Sequence, residues 1–503
     1  MSGVTLGEGW VEDGQGNRIP VWSGEFHYFR NAQKHWPRIL KGMKDAGCTF
    51  VTSFVQPNWH EYEPGKFDFE GRTAPERDLP RLLTLAQEAG LYVQLRLGPA
   101  CCEWRESGGS SFGTKWHDIS NAFWDVVEPY QADRGGPLML YQVHNEWVHP
   151  LGIYYIILPA VTGFDGFTAP SVNQWAELIG PNCHYLAAGY GFSMSLLTEY
   201  LAALYPDVTA MNRAWGADHG SFEAVTDEFV REGVDTLHGY VLRCRELLRN
   251  SGAVRANPRR MLDLLNWANL LQVPQLAKEA DHTRTRTSLP VLHNWAMGDE
   301  RRWSKMAHLD LSGYDMYAPM DVDIWDWAKM TCHMQSSPFP FSNEFMCGTI
   351  ERYEWGGQGI YTDGFARMSV LSYVLGGMKG VNLYMFVERD NWLQCPLDER
   401  GGKRSVHGAI ASIFHTLREC RWHELTILGD LGVFKNPDYH RYADGTDDGM
   451  FDEGYREILV RDNLYGGHEP KRSFIAAYRA LRDRSVDFSV FKDPRGGESL
   501  RGF

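Results

Sequence analysis

No two cysteines in this 503-residue chain form a Cys-x-x-Cys pair, and the nine present (48, 101, 102, 183, 244, 332, 347, 395, 420) are scattered and odd in number. That argues against a zinc knuckle and makes reduced thiols the default. Basic charge is short as well. With 50 Lys and Arg against 64 Asp and Glu, the net charge of −14 argues against nucleic acid or an anionic membrane surface as a partner. No apolar run reaches the length of a membrane span. The start, MSGVTLGEGWVEDGQGN, lacks a basic segment followed by an apolar block, so no signal peptide and a cytoplasmic location are expected. There is no internal repeat and no low-complexity tract.

Aromatic residues, in contrast, are plentiful at 13%, with 18 Trp. Trp and Tyr offer flat faces with a polar edge, suited to stacking on sugars, although most such residues fill cores. The length exceeds what one small core needs and fits a barrel with insertions plus a second unit.

Short apolar stretches recur between amphipathic ones, the pattern of a parallel sheet with crossover helices. The expected strands are Val21–Phe29, Thr49–Gln56, Tyr92–Leu97, Leu138–His144, Pro290–Asn294, Leu311–Tyr317, Phe339–Asn343 and Gly380–Phe386. Helices are expected at Asp78–Ala89, with Leu79, Leu82, Leu83, Leu85 and Ala86 on one face, and at Phe365–Leu375. Eight strands with helices between them predict an α/β fold, an eight-stranded (β/α)8 TIM barrel whose chemistry gathers at the C-terminal strand ends. Residues 148–288 are too long for one crossover and carry helical runs at Ser193–Leu204 and Phe222–Leu248, so a helical insertion after strand 4 is expected. The expected catalytic barrel is thus 1–424, insertion included. Residues 425–503, with strands at Leu425–Val433 and Val486–Phe491 around a helix at Ser473–Arg482, open a further α/β unit. Either the chain is a piece of a longer protein or this tail packs on the barrel.

The strand ends carry Glu25 and His27, His60 and Glu61, Glu103, Asn145 and Glu146, His293 and Asn294, Tyr317, Glu344 and Glu388. Trp59, Trp104, Trp147, Trp295 and Trp392 are interleaved with them. Several carboxylates facing one cavity are costly unless they have partners or a task. Glycoside hydrolysis sets such a task, with one protonated acid at the leaving oxygen and one ionised carboxylate near the anomeric carbon. No His/Asp/Glu set has tight ligand spacing, so neither a metal nor a cofactor is expected; His27 and His60 read as structural.

Five segments then carry a resemblance: SGEFHYFR (23–30), WPRILKGMKDAGCTFVTSFVQPNWHEYEPGKFDFEG (36–71), ERDLPRLLTLAQEAGLYVQLRLGP (76–99), YQVHNEW (141–147) and PFPFSNEFMCG (338–348). In this order they resemble the barrel strands of family 35 β-galactosidases, and LYMF (383–386) resembles the last of those strands. LAALYPDVTAMNRAWG (201–216) is instead similar to family 42 β-galactosidases. The resemblance implies a retaining, exo-acting β-glycosidase, β-galactosides first, with Glu146 as acid/base and Glu344 as nucleophile. It implies Asn145 on the sugar 2-hydroxyl, and Glu103 with Cys102 at the outer hydroxyls. Tyr317 would lie near the nucleophile and Trp392 would form a platform, with Phe54 and Asn294 completing the substrate-binding set. The chain departs from the family pattern at Phe54, where the family has tyrosine, at the shortened GPACCEW (98–104), at QPNWHEY (56–62) and at ERDN (388–391). All four departures touch the sugar pocket and none touches the two glutamates. Alternatives are the same chemistry on a β-glucosaminide, mannoside or glucoside, a carbohydrate-binding barrel without catalysis, and a metal-dependent barrel hydrolase. An oligosaccharide or glycoside substrate and a homo-oligomer are expected.

Overall fold

Eight short strands of mainly apolar residues, each flanked by neighbours in chain order, hydrogen-bond in parallel until the last meets the first. They are β1 (Trp22–Glu25), β2 (Phe50–Val55), β3 (Tyr92–Leu97), β4 (Leu138–Val143), β5 (Val291–Trp295), β6 (Leu311–Met316), β7 (Phe341–Met346) and β8 (Gly380–Tyr384). The result is a (β/α)8 TIM barrel. The computed structural model describes residues 3–98, 115–145, 195–231, 273–295, 308–316, 339–350, 361–390 and 392–426, isolated positions at 257–267 and 337, and strands at 431–434 and 488–491.

The flanking helices follow from the sequence pattern. α1 (Trp36–Asp45) and α2 (Leu79–Glu88) each bury one apolar face. In α2 that face is Leu79, Leu82, Leu83, Leu85 and Ala86, as the periodicity predicts. Asp78 caps α2 by accepting from the Arg81 amide, a contact worth about 1 kcal/mol. α3 (Trp116–Val127) follows β3. Later come α7 (Val273–Arg284), α8 (Asp363–Leu375) and α9 (Ser405–Glu419). At the closed end of the barrel Trp22 stacks on Phe414 of α9 at 5.7 Å between ring centroids.

Two strand boundaries differ from expectation for physical reasons. β1 stops at Glu25 because Tyr28–Arg30 wind into a 3-10 turn that buries Tyr28 and Phe29. β7 runs on to Met346 instead of ending at Asn343, carrying Glu344 inside the strand. Against both neighbours β7 holds one extra residue. Tyr314 and Asp315 of β6 pair with Ser342 and Glu344, and Val381 and Leu383 of β8 pair with Ser342 and Phe345. This is a β-bulge. Gly313 of β6 makes room for it, since a Cβ there would lie 2.5 Å from the Asn343 Cβ.

The chain divides into two compact units, one of residues 1–147, 181–184 and 276–428, the other of 148–180, 185–275 and 429–503. The second contains α4 (Ser195–Leu204), α5 (Val208–Trp215) and α6 (Phe222–Arg231). Thr198 and Thr226 tie α4 to α6 at 2.6 Å, and Trp215 donates to Asp263 at 2.8 Å. It also contains the parallel pair β9 (Leu431–Phe434) and β10 (Phe488–Phe491). The first of these starts later than expected, after a 3-10 turn at Trp422–Glu424. The helix expected at Ser473–Arg482 lies outside the described residues. Among the described residues no helix is long and apolar enough to cross a membrane.

Candidate active site

The interior of a β/α barrel is ordinarily filled by branched aliphatic side chains. Toward the C-terminal strand ends this one holds amides and charges. Gln94 and Arg96 stand two residues apart on β3, so strand alternation turns both to the same side. Gln94 donates to the Asn343 side chain at 3.1 Å, and Asn343 donates to Gln142 of β4. Gln142 in turn donates to Asn294 of β5 and, at 2.8 Å, to the His144 carbonyl. Each of these amides is buried, and each makes at least one side-chain hydrogen bond.

Strict alternation would send Asn343 and Glu344 to opposite faces of β7. The bulge turns both inward. Asn343 reaches β4, and Glu344 reaches the guanidinium of Arg96 on β3. Arg96, with no solvent exposure, is gripped from two sides. Its Nη1 donates to Glu344 Oε1 and, at 3.1 Å, to Asn145 Oδ1, while its Nη2 lies 2.9 Å from Glu25 Oε2 on β1. Asn294 Nδ2 lies 2.9 Å from Asn145 Oδ1, 2.9 Å from Asp315 Oδ2 and 3.5 Å from Glu344 Oε1.

The charge states follow. Burial pushes Glu25 toward its neutral form, but Arg96, His27 and Asn382 outweigh it and its pKa is lowered overall. Asn382 donates to Glu25 Oε2 at 2.7 Å. Burial lowers His27 to about 4, against the pull of Glu25 3.4 Å away, so this ring is neutral near pH 7. Burial works against Arg96 too, yet Glu25 and Glu344 raise its pKa above the ordinary value. A guanidinium between two carboxylates stays charged at any working pH.

The expected site residues fall into three groups. Asn145, Asn294 and Glu344 come together in one hydrogen-bonded cluster. Phe54 and Trp392 are both buried, and their contacts are with protein. The Phe54 ring centroid lies 3.7 Å from the Arg96 Cζ, a cation–π floor under the guanidinium. Trp392 donates to the Cys347 carbonyl at 2.8 Å and meets Tyr384 edge-on at 5.2 Å. Glu146, Glu103, Cys102 and Tyr317 lie outside the described residues. His60 is structural: its Nδ1 donates to the Asp68 carbonyl at 2.6 Å, and its Nε2 accepts from the Tyr28 hydroxyl at 2.6 Å. Among the described residues no group of three or more His, Cys, Asp or Glu could hold a metal ion.

Arg96, Gln142, Asn343 and Glu25 in their network roles were not singled out by sequence reasoning. The signal was present, as polar residues at inward positions of otherwise apolar strands.

Comparison with known proteins agrees with the motifs. Residues 13–114 match the model of glycosyl hydrolases family 35. The chain is 46% identical over 92 residues to an exo-β-D-glucosaminidase of Pyrococcus horikoshii, which covers 18% of this chain and 12% of that protein. It is 36% identical over 151 residues to β-galactosidase 13 of Arabidopsis thaliana, covering 26% of this chain and 17% of the relative. The chain therefore spans only a small part of these curated relatives. Among solved structures, the β-galactosidase of Marinomonas ef1 superposes with a TM-score of 0.60 at 13% identity, covering 94% of this chain and 70% of that one. That of Halorubrum lacusprofundi gives 0.60 at 15%, covering 96% and 68%. These likenesses establish the barrel fold.

Proposed function

We propose that the chain is a retaining exo-β-glycosidase, acting on terminal β-linked sugars and first of all on β-galactosides. One observation carries the reading. Glu344 shares a buried cluster with Arg96 and Asn145 inside the barrel, and Asn145 immediately precedes Glu146 in the chain. Glu344 attacks the anomeric carbon while Glu146 protonates the leaving oxygen. Glu146 then activates water to release the sugar from the glycosyl-enzyme. Arg96 and Asn294 fix the Glu344 carboxylate in place, and positioning of this kind supplies part of the rate.

A second sugar has a specific claim. The exo-β-D-glucosaminidases of Pyrococcus horikoshii and Thermococcus kodakarensis are 46% and 42% identical over their aligned parts, against 36% for the Arabidopsis β-galactosidase. A β-glucosaminide would use the same two glutamates.

Aryl β-galactoside, glucosaminide, mannoside and glucoside turnover, with the anomer of the product read by NMR, tests both the sugar and the stereochemistry. Retention is expected; an inverted product would remove Glu344 as nucleophile. Glu344→Gly should lose at least about a thousandfold in kcat and recover partly with azide, which replaces the missing carboxylate. Wild-type activity in that variant would end the assignment.

A further inference from the structure

Glu25 is a buried carboxylate on β1 to which the proposed reaction gives no work. It has no solvent exposure, so it is screened from a substrate in the cavity. Its Oε2 lies on the same guanidinium that holds Glu344. Asn382 donates to Oε2, and the neutral His27 stands 3.4 Å from Oε1. The Phe54 ring lies beneath the guanidinium. A single buried cation thus answers two buried anions, leaving the three-residue set with one net negative charge.

We infer that Glu25 is a positioning residue that balances the charge of Arg96, leaving the Glu344 carboxylate anchored but only partly neutralised. This rests on the proposed role of Glu344 as nucleophile. A carboxylate fully paired with a buried guanidinium is stabilised in the ground state, and that stabilisation is lost as its charge passes to the sugar carbon. A second carboxylate on the far side of Arg96 divides the cation's pull. Glu25 Oε2 lies 2.9 Å from Nη2, while Nη1 is the nitrogen that donates to Glu344.

Other charged or titratable groups face this set. His27 follows β1, His144 follows β4, His293 stands on β5, Asp315 on β6 and Tyr384 on β8, with Glu388 and Arg389 following β8. His27 is neutral near pH 7, and His293 donates its Nδ1 proton to the Val143 carbonyl at 2.7 Å. Glu25 pulls the His27 pKa upward, so Glu25→Gln lowers it further and leaves that ring neutral near pH 7.

The test is the pH profile of Glu25→Gln and Glu25→Asp on 4-nitrophenyl β-D-galactopyranoside, alongside Glu344→Gly. For Glu25→Gln the expected result is a fall in kcat of about tenfold or more with KM nearly unchanged. The acid limb of kcat/KM should move down by about one pH unit, since Arg96 then acts on Glu344 unopposed. Glu25→Asp keeps the charge and should keep the limb, with a smaller loss in kcat. An unmoved limb in Glu25→Gln, or a raised KM with kcat intact, overturns the inference. If Glu25→Gln does not fold, Glu25→Asp decides, because a limb displaced downward in a variant that keeps the charge overturns it too. Glu344→Gly separates the two claims. Retained activity there removes the nucleophile itself, whereas its loss together with an unmoved limb in Glu25→Gln removes only the role of Glu25.

Discussion

Two cations are buried at opposite ends of the barrel, and their company differs. Arg96, toward the C-terminal end of β3, lies between two carboxylates, and its pKa rises. Among the described residues Lys379, just before β8, has no carboxylate partner. It donates to the carbonyls of Trp422, at 2.8 Å, and Leu425, and its Nζ lies 4.3 Å from the Trp422 ring centroid. Burial lowers its pKa from 10.5 to about 8. Neutral dipoles support a charge without securing it, whereas opposite charges secure it. The cation at the mouth of the barrel therefore stays charged across the working pH range, and the one at the closed end can be neutralised by alkali.

The largest effect should come from removing the secured cation. Arg96→Leu leaves Glu25 and Glu344 buried and uncompensated, and should cost ~3–5 kcal/mol in urea denaturation, with activity lost. A cost below 1 kcal/mol would show that the pair is hydrated in solution and the contrast between the two ends false.

Acid attacks the same end by another route. The unfolded chain protonates His27 near 6.5, while the folded chain resists until about 4. The unfolded state therefore binds the extra proton in that window, and stability falls as pH drops through it, by up to about 3 kcal/mol from this residue. His27→Asn should flatten the fall in melting temperature between pH 6.5 and 4; an unchanged slope would place the acid sensitivity elsewhere.

Gln142→Leu strands Asn343 and Asn294 amide atoms in the interior and should cost ~1–3 kcal/mol. If stability is unchanged while kcat drops, the amide chain serves positioning alone. The smallest effect belongs to Lys379→Met, within about 1 kcal/mol at pH 7, because carbonyls at a turn end can find water. Relative to this variant, the wild type should gain stability as pH rises from about 8 toward 10.5, where the unfolded lysine still holds the proton that the folded one has released. A constant difference across that range would mean Lys379 titrates normally.

How much of this was legible beforehand depended on the kind of residue. All eight strands were readable, because strands buried on both faces are written as short apolar runs bounded by polar turns. Glu344, Asn145 and Asn294 were readable as polar residues near predicted strand ends, and the motifs set them in order. Arg96 was not readable as a site residue, since nothing in YVQLRL says which distant strand an inward arginine will face. Phe54 was expected at the sugar, and the burial that sets its ring under Arg96 is a tertiary fact. The bulge was also hidden, because SNEFM reads equally well with regular alternation.

That bulge separates architecture from chemistry. The barrel closes through the pairing of Phe341 and Ser342 below and Phe345 and Met346 above, and of the two residues between, one is surplus length. A deletion of Asn343 would restore regular alternation and leave a barrel able to close, but it would change which side chains of the strand look inward. In evolutionary terms, one codon stands between two orientations of the same carboxylate, so an ancestor could have lost or acquired either without rebuilding the fold.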